Sequence, residues 1–448
     1  MRDLLLLAIV AAGCLLALRR PWIGIMLWTW LSLMSPHRFA YSYAYEAPLA
    51  AAVAVCTLIG MLMSHEKDAP IKGVPVMFFV AFTVWLTASW IFGLDAAGDY
   101  WQWNKVIKIN FMLLVSLSLL RTKEHIFALL WVTVVSLGLL GAKGGVFTIL
   151  TAGSYRVWGP PGTFIEDNNE FALAMVLTIP LIRLLHMQVK SRKLKLVLVA
   201  AMLLCSASAL GSYSRGGMLA IVSMTLLLWW RGDKKIQWGA VLLMAAVVAL
   251  AFLPEQWFNR MSTIENYEED RSTLGRFSAW TVAWRLAFDY PLGIGFSLAR
   301  PELFMKYSPY PDYVHAAHSI YFLVLGNHGF IGLFLFLMIG VTTWRSAAWL
   351  RKHGRAQRES QWAADLGNMA QVSMVGYAIG GAFLSLSYFD LPYIVMVLVV
   401  ITRKWVEARA WEHEPTYPPG WRTLPGLESI EVSISKPLVQ SAERPRGA

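Results

Sequence analysis

Cysteine is nearly missing from this sequence: Cys14, Cys56 and Cys205 are all there is, and each sits inside an apolar run. A disulfide framework and a cysteine-based metal site are thereby excluded, since neither has its spacing here. Charge is scarce as well. Only 15% of the 448 residues are Asp, Glu, Lys or Arg, against about 25% in soluble domains. Hydrophobic residues make up 57%, above the roughly 45–50% of soluble proteins. A large part of the chain must therefore face lipid. Acidic residues are the rarer sign, 28 against 39 Lys and Arg, for a net charge of +11. The basic residues sit at the ends of apolar runs rather than in patches, so nucleic acid is not an expected partner. No small-residue cleavage site follows the first apolar run, and further runs come after it, which argues against a cleavable signal peptide. What the chain has in excess is tryptophan, 21 residues, a side chain that favours membrane interfaces.

A spanning helix needs about 20 apolar residues. Windows of that size fall at 47–63, 73–92, 105–120, 125–150, 168–187, 194–211, 216–230, 236–253 and 319–350. Residues 4–34 hold two short runs split by Arg19-Arg20-Pro21, and residues 369–402 two runs split around Asp390-Leu391-Pro392. Each is expected to give two crossings with a tight turn. The expected class is an all-α polytopic membrane protein with 12 or 13 spans.

Every second connection is basic: Arg121 to Lys123, Lys190 to Lys195, Arg231 to Lys235, and Arg351 to Arg355. By the positive-inside rule these face the cytoplasm. The opposite set, 35–46, 93–104, 151–167, 212–215 and the long segment 254–318, faces outward. The chain thus divides into 1–253, carrying helices 1 to about 10; an outward loop at 254–318; C-terminal spans at 319–402; and a Pro-rich, polar tail at 403–448, read as cytoplasmic and largely disordered. In the outward loop, Ser272-Thr273 resemble a helix N-cap. Phe277, Trp280, Trp284 and Phe288 follow at helical spacing, giving an amphipathic helix on or in the membrane surface.

The informative residues are those that break the charge rule. Outward segments carry Arg156, Arg215, Arg260, Arg271, Arg276, Arg285 and Arg300. Such arginines either pair with Glu265, Glu268, Glu269, Asp270 and Asp289 of the long loop or bind an anion. Arg215, in Gly211-Ser-Tyr-Ser-Arg-Gly-Gly217, has no acid in its own loop. It precedes two glycines where one helix passes to the next, a place where backbone N–H groups face an anion. Arg276 is expected in the first turn of the amphipathic helix, again at a positive dipole end. Two such arginines form a clamp suited to a pyrophosphate.

A second cluster, Asp312-Tyr-Val-His315-Ala-Ala-His318-Ser319-Ile-Tyr321, closes the outward loop. His318 or His315 could serve as a neutral general base near working pH, or as an interfacial group that caps a helix. A metal reading with Asp312 lacks a supporting ligand motif. His328 is expected to be a packing group within its helix. A third cluster, from Arg156 through Trp158, Gly162-Thr163 and Glu166 to Asp167-Asn168-Asn169-Glu170, is rich in turn formers. Asp167 or Asn168 caps the next helix there, and Arg156 and Asn168 are candidates for sugar or pyrophosphate contact. Lys143 either snorkels or lines a cavity.

At these residues the chain resembles the bacterial O-antigen ligase/polymerase superfamily. The matching strings come in the family's order: Gly162-Thr-Phe with Asn168 and Asn169 before a helix ending in Pro180; Ser214-Arg215-Gly216-Gly217; Gly275-Arg276 with Trp280; Pro291-Leu-Gly-Ile-Gly295; and His318-Ser319-Ile-Tyr321 with Gly326 and Gly329. Arg20-Pro-Trp22, Ser35-Pro36-His37-Arg38 and Asp167-Asn-Asn-Glu170 look like the subgroup of O-glycosylation ligases found beside exosortase systems. Ser319 stands where the family often has Asn. The resemblance implies an enzyme of the bacterial inner membrane, acting at its periplasmic face without metal, nucleotide or other cofactor. It implies that a glycan moves from undecaprenyl pyrophosphate to a hydroxyl, with inversion. It implies His318 as base and Arg215 and Arg276 on the pyrophosphate, with Arg156, His315 and Asn168 as further binding residues. The acceptor so implied is lipid A-core, or, in the transferase and polymerase branches, a protein or a growing glycan. A transporter of lipid-linked anions would want mid-span charge and inverted repeats, and the polar signals instead gather on one face.

Overall fold

The computed structural model describes residues 2–40, 43–64, 72–232, 235–237, 239, 244 and 271–414. Most of the expected span 236–253, the loop stretch 254–270 with Arg260 and its acids, the Arg271 side chain and the tail from 415 onward lie outside the described residues. The structure is 79% helical, with no strand among the described residues. The chain is an all-α polytopic membrane protein.

The helices, in chain order, are α1 (Arg2–Arg19), α2 (Pro21–Met34), α3 (Tyr43–Glu46), α4 (Leu49–Met63), α5 (Val74–Ile91), α6 (Ala96–Leu119), α7 (Lys123–Leu150), α8 (Asn168–Gln188), α9 (Arg192–Gly211), α10 (Arg215–Arg231), α11 (Arg271–Asp289), α12 (Pro301–Tyr307), α13 (Ile320–His353), α14 (Gln361–Gly380) and α15 (Asp390–Glu407). Short polar residues start several of them. Asp95, Thr122, Asp167, Ser191, Ser214 and Ser319 each accept a backbone N–H of the first turn, satisfying donors that have no partner within the helix. Pro21 opens α2, where its missing N–H costs nothing.

Among the described residues, α5, α7, α8, α9 and α13 are long and apolar enough to cross a membrane, while α2 and α4 are shorter apolar helices. The two split regions do fold as helix pairs. Arg20 separates α1 from α2, and residues 381–389 separate α14 from α15. α15 lies at the centre: 14 of its 18 residues are buried, and it packs against α2, α5, α6, α7, α13 and α14. Its apolar run suits such a central position, where neighbouring helices take the place of lipid. α13 is 34 residues long but broken at Gly329, whose φ of 68° and ψ of −173° are non-helical. A Cβ there would stand 2.7 Å from the Pro291 carbonyl oxygen, so only glycine allows the close approach.

The alternate loops gather at opposite ends. At one end Leu94 N–H donates to the Ile294 carbonyl, Val157 N–H to Gly211, and Arg300 pairs with Asp99 at 3.3 Å. At the other end lie Lys123 bonded to Glu414, Gln188 to Asp365, and Arg231 to Asn368 and Gln371. The basic connections thus collect at one end and the turn-rich loops at the other.

Candidate functional site

Asp167 caps α8 by accepting the Asn169 N–H at 2.8 Å. That leaves the Asn168 amide to reach across and donate to the Ser212 carbonyl at 2.6 Å. The turn before α10 is thereby tied to the start of α8. Ser214 then caps α10 by accepting the Gly217 N–H, and Arg215 becomes the first helical residue. The two glycines after it serve packing. A Cβ on Gly217 would stand 2.8 Å from the Ala172 Cβ, and one on Gly216 3.1 Å from Leu384. They let the head of α10 close onto α8 and onto the turn after α14, rather than cradle an anion by themselves.

His318 sits one residue before the Ser319 cap of α13, in the left-handed region at φ 40°. This conformation costs roughly 1–2 kcal/mol for a residue with a Cβ, so the surroundings must hold it. They do so from both sides. The Ser319 hydroxyl accepts the Phe322 N–H, and the Trp280 indole of α11 donates to the Ala317 carbonyl at 2.7 Å. Trp280 also stacks on Phe322, with ring centroids 5.0 Å apart. So held, His318 places its Nδ1 3.6 Å from Glu170 Oε1. The same oxygen accepts the Ser385 N–H at 3.1 Å, which fixes the buried carboxylate in position.

Arg276 reaches this cluster by a route other than the expected one. α11 already runs at Arg271, the first described residue of this stretch, so Arg276 stands past the first turn and its free N–H groups. What places it is Gly275: a Cβ there would lie 2.9 Å from the His315 ring. α11 therefore lies directly on the 313–318 segment, and the rings of His315 and His318 are 5.0 Å apart. The expected aromatic stripe of α11 is mostly outward: Phe277, Trp284 and Phe288 are exposed, while Ala279, Val282, Ala283 and Leu286 form the buried face. Small aliphatic residues, not the aromatics, allow the helix to seat this closely.

The other outward arginines divide. Arg300 pairs with buried Asp99, which also accepts from the Phe296 N–H and the Ser297 hydroxyl. Arg285 donates to the Tyr307 carbonyl at 2.8 Å, and Asp289 accepts the Tyr307 hydroxyl instead of pairing with Arg285. Both arginines hold the 290–307 segment in place. Arg156 lies 5.9 Å over the Tyr213 ring and lines a 330 Å³ cavity with Lys143, Phe39 and Phe171; Lys143 is thus a cavity residue. His328 is fully buried between the Ser89 and Tyr388 hydroxyls, at 2.6 and 2.7 Å, as a packing group should be.

Electrostatics follow the geometry. Burial, and then the neighbouring His318 ring and Arg276 guanidinium, hold His315 below the ordinary histidine range, while its Nδ1–H bond to the Ala316 carbonyl works the other way. His315 is therefore neutral at pH 7. Burial alone would raise Asp167, but the backbone and side-chain amides of Asn169, with His318 nearby, keep its carboxyl below the usual range. The site end of α8 thus carries negative charge that faces His318. Among the described residues no three of His, Cys, Asp and Glu are grouped to hold a metal ion.

The arrangement brings His318, His315, Arg276 and the head of α8 together, and sets Arg215 on a helix whose second glycine abuts Ala172, two residues beyond Glu170. Sequence reasoning missed Glu170 as the partner of His318. The Asp-x-x-Glu spacing of residues 167–170 reads as a helix-capping box, and nothing local shows that the glutamate turns toward a residue 148 positions away.

Comparison with known families covers most of these residues. Residues 1–190, with Asn168 and Glu170, match a family of unknown function. No curated protein matches the chain. Residues 200–337, which hold Arg215, Arg276, His315 and His318, match the family described as O-antigen ligase, a match that supports membership of the O-antigen ligase superfamily.

Proposed function

We propose that the chain is an inverting glycosyltransferase of the bacterial inner membrane, moving a glycan from undecaprenyl pyrophosphate to a hydroxyl of lipid A-core at the periplasmic face. The observation that carries this reading is His318. A strained backbone holds it beside a buried carboxylate, within the residues matched to the O-antigen ligase family. A carboxylate facing Nδ1 favours the tautomer with the proton on Nδ1, which leaves the Nε2 lone pair as a base. His318 Nε2 takes the acceptor's hydroxyl proton. The acceptor oxygen bonds to the anomeric carbon on the face opposite the pyrophosphate. The anomeric carbon–oxygen bond to pyrophosphate breaks, and its electron pair leaves with the pyrophosphate, whose charge Arg215 and Arg276 neutralise. His315, neutral beside Arg276, offers its Nε2 as an acceptor for a sugar hydroxyl. Asn168 acts by fixing the turn that carries Arg215. Arg156, on its own cavity wall with Lys143, contacts a more distant part of a substrate.

Reconstitution tests the reading. Purified protein in liposomes receives an undecaprenyl-pyrophosphate glycan and is offered lipid A-core and a peptide side by side. Transfer to lipid A-core is the expected result. Transfer to the peptide alone would assign the chain to protein glycosylation. Transfer to neither would reject both.

A further inference from the structure

A second cationic cavity lies on the same end of the bundle, and none of the residues assigned above to the transfer reaction lines it. It measures 570 Å³ and runs between α2, α4, α6, the 162–165 turn and the start of α15. That volume is within the range of about 300–1,000 Å³ usual for ligand sites. Arg38, Lys105 and Lys108 line it. Lys105 and Lys108 are three apart on α6 and so share a helix face. They stand about 14 and 18 Å along α6 from its first residue, at a rise of about 1.5 Å each.

These cations are placed but not neutralised. Among the described residues no ion pair or hydrogen bond engages the side chain of Arg38, Lys105 or Lys108. Aromatic faces position two of them: Lys105 Nζ is 3.9 Å from the Phe164 ring centroid, and the Arg38 guanidinium 5.0 Å from that of Tyr45. Ring contacts hold a cation while leaving its N–H donors unspent. Gly162 makes the room, since a Cβ there would stand 3.0 Å from Arg38 Nη2. The nearby acids are already engaged. Asp390, on the cavity wall, accepts the Ser32 hydroxyl, and Glu166 accepts the Gly162 N–H at 2.7 Å. The rest of the wall is apolar, and it continues onto exposed Val55 of α4 and Phe111 of α6. A small free anion would need the cations but not that wall.

We propose that this cavity binds a phosphate-bearing lipid, with its phosphate among Arg38, Lys105 and Lys108 and its chain along the α4–α6 wall. The 160–167 loop joins the two sites: Gly162 to Ile165 face the lipid cavity, while Asp167 and Glu170 serve His318. The proposal does not depend on the transfer reaction. The same phosphate chemistry can come from a bulk anionic phospholipid or from a polyprenyl phosphate, and binding experiments separate them. The full chain in zwitterionic nanodiscs is titrated with phosphatidylglycerol, with undecaprenyl phosphate and with phosphatidylcholine, and scored by native mass spectrometry. Saturable binding of phosphatidylglycerol or undecaprenyl phosphate, whose phosphates carry net negative charge, over zwitterionic phosphatidylcholine is expected. Arg38→Gln/Lys105→Gln/Lys108→Gln should weaken it at least about tenfold. Arg215→Ala/Arg276→Ala should leave it within about twofold. Lys108→Gln alone, at an exposed position, keeps the fold and should still weaken binding. Preference for one lipid identifies the source. Equal binding of phosphatidylcholine, or loss in the Arg215/Arg276 variant with none in the triple or Lys108 variants, overturns the proposal.

Discussion

Glu170 bears on a single atom of His318, and its test belongs at that scale. Glu170→Gln keeps an oxygen to accept the Ser385 N–H but removes the charge facing Nδ1. Turnover should fall about 10- to 100-fold with donor KM little changed, as expected for a group that orients a base. An equal rise in KM would mark a binding role instead. Arg215→Ala and Arg276→Ala should raise donor KM more than the lysine variants do, because bidentate geometry is lost with either change but charge only with alanine. Equal effects of Ala and Lys in steady-state kinetics would make both arginines structural. His315 gives a pH prediction. An unfolded histidine protonates near 6.5, whereas His315, buried beside Arg276 and His318, protonates at lower pH. Its contribution to stability is therefore lost as pH falls through about 6.5 toward the folded value. Thermal unfolding at pH 7.5 and 5.5 should show a smaller acid loss in His315→Gln than in the natural chain. The candidate residues themselves were legible in the sequence, because arginines outside the basic loops and a histidine pair have no bland reason to be there. Their partners were not, since Glu170–His318 and Asp99–Arg300 join residues far apart in the chain.

At the scale of elements, the 290–300 segment is held by one buried carboxylate. Asp99 accepts from Phe296 N–H, Ser297 and Arg300, so removing it takes the acceptor from all three and leaves Arg300 only the more exposed Asp95, at 3.8 Å. Asp99→Ala should destabilise by about 1–3 kcal/mol, the usual cost of leaving buried donors unsatisfied, read as a lower midpoint of thermal unfolding in detergent. An unchanged midpoint would mean that the segment is held by the Ile294 and Gly295 bonds to the Asn327 carbonyl alone. Helix positions were legible because apolar windows, Arg20-Pro21 and the Ser, Thr and Asp caps are local signals. The start of α11 was not: Ser272-Thr273 has cap chemistry, yet the helix already runs at Arg271, which moves Arg276 out of the first turn. The buried face of α11 was not legible from the aromatic spacing, because Ala279, Val282, Ala283 and Leu286 pack against Ile294, Leu298 and Phe304 while Phe277, Trp284 and Phe288 stay exposed.

For the whole molecule, the two ends of the bundle differ in kind: basic connections at one, and turn-rich loops with His315, His318, Arg215, Arg276 and the cavity lined by Arg38 at the other. That segregation followed from counting Lys and Arg along the sequence, whereas the meeting of residues 1–190 with 200–337 at one site is a property of the fold. Single cysteines at Tyr155 and at Arg355, each in a background without Cys14, Cys56 and Cys205, should label from opposite sides of sealed vesicles, Tyr155 from the periplasmic side. Labelling of both from one side would overturn the assigned orientation. The most direct measurement of the central proposal is single-turnover transfer by His318→Ala in liposomes, with undecaprenyl-pyrophosphate glycan and lipid A-core supplied and folding checked by thermal unfolding. Loss of transfer by at least about a hundredfold, with an unchanged unfolding midpoint and retained donor binding, is the predicted result. Transfer at near-natural rate by the folded variant would contradict His318 as the base.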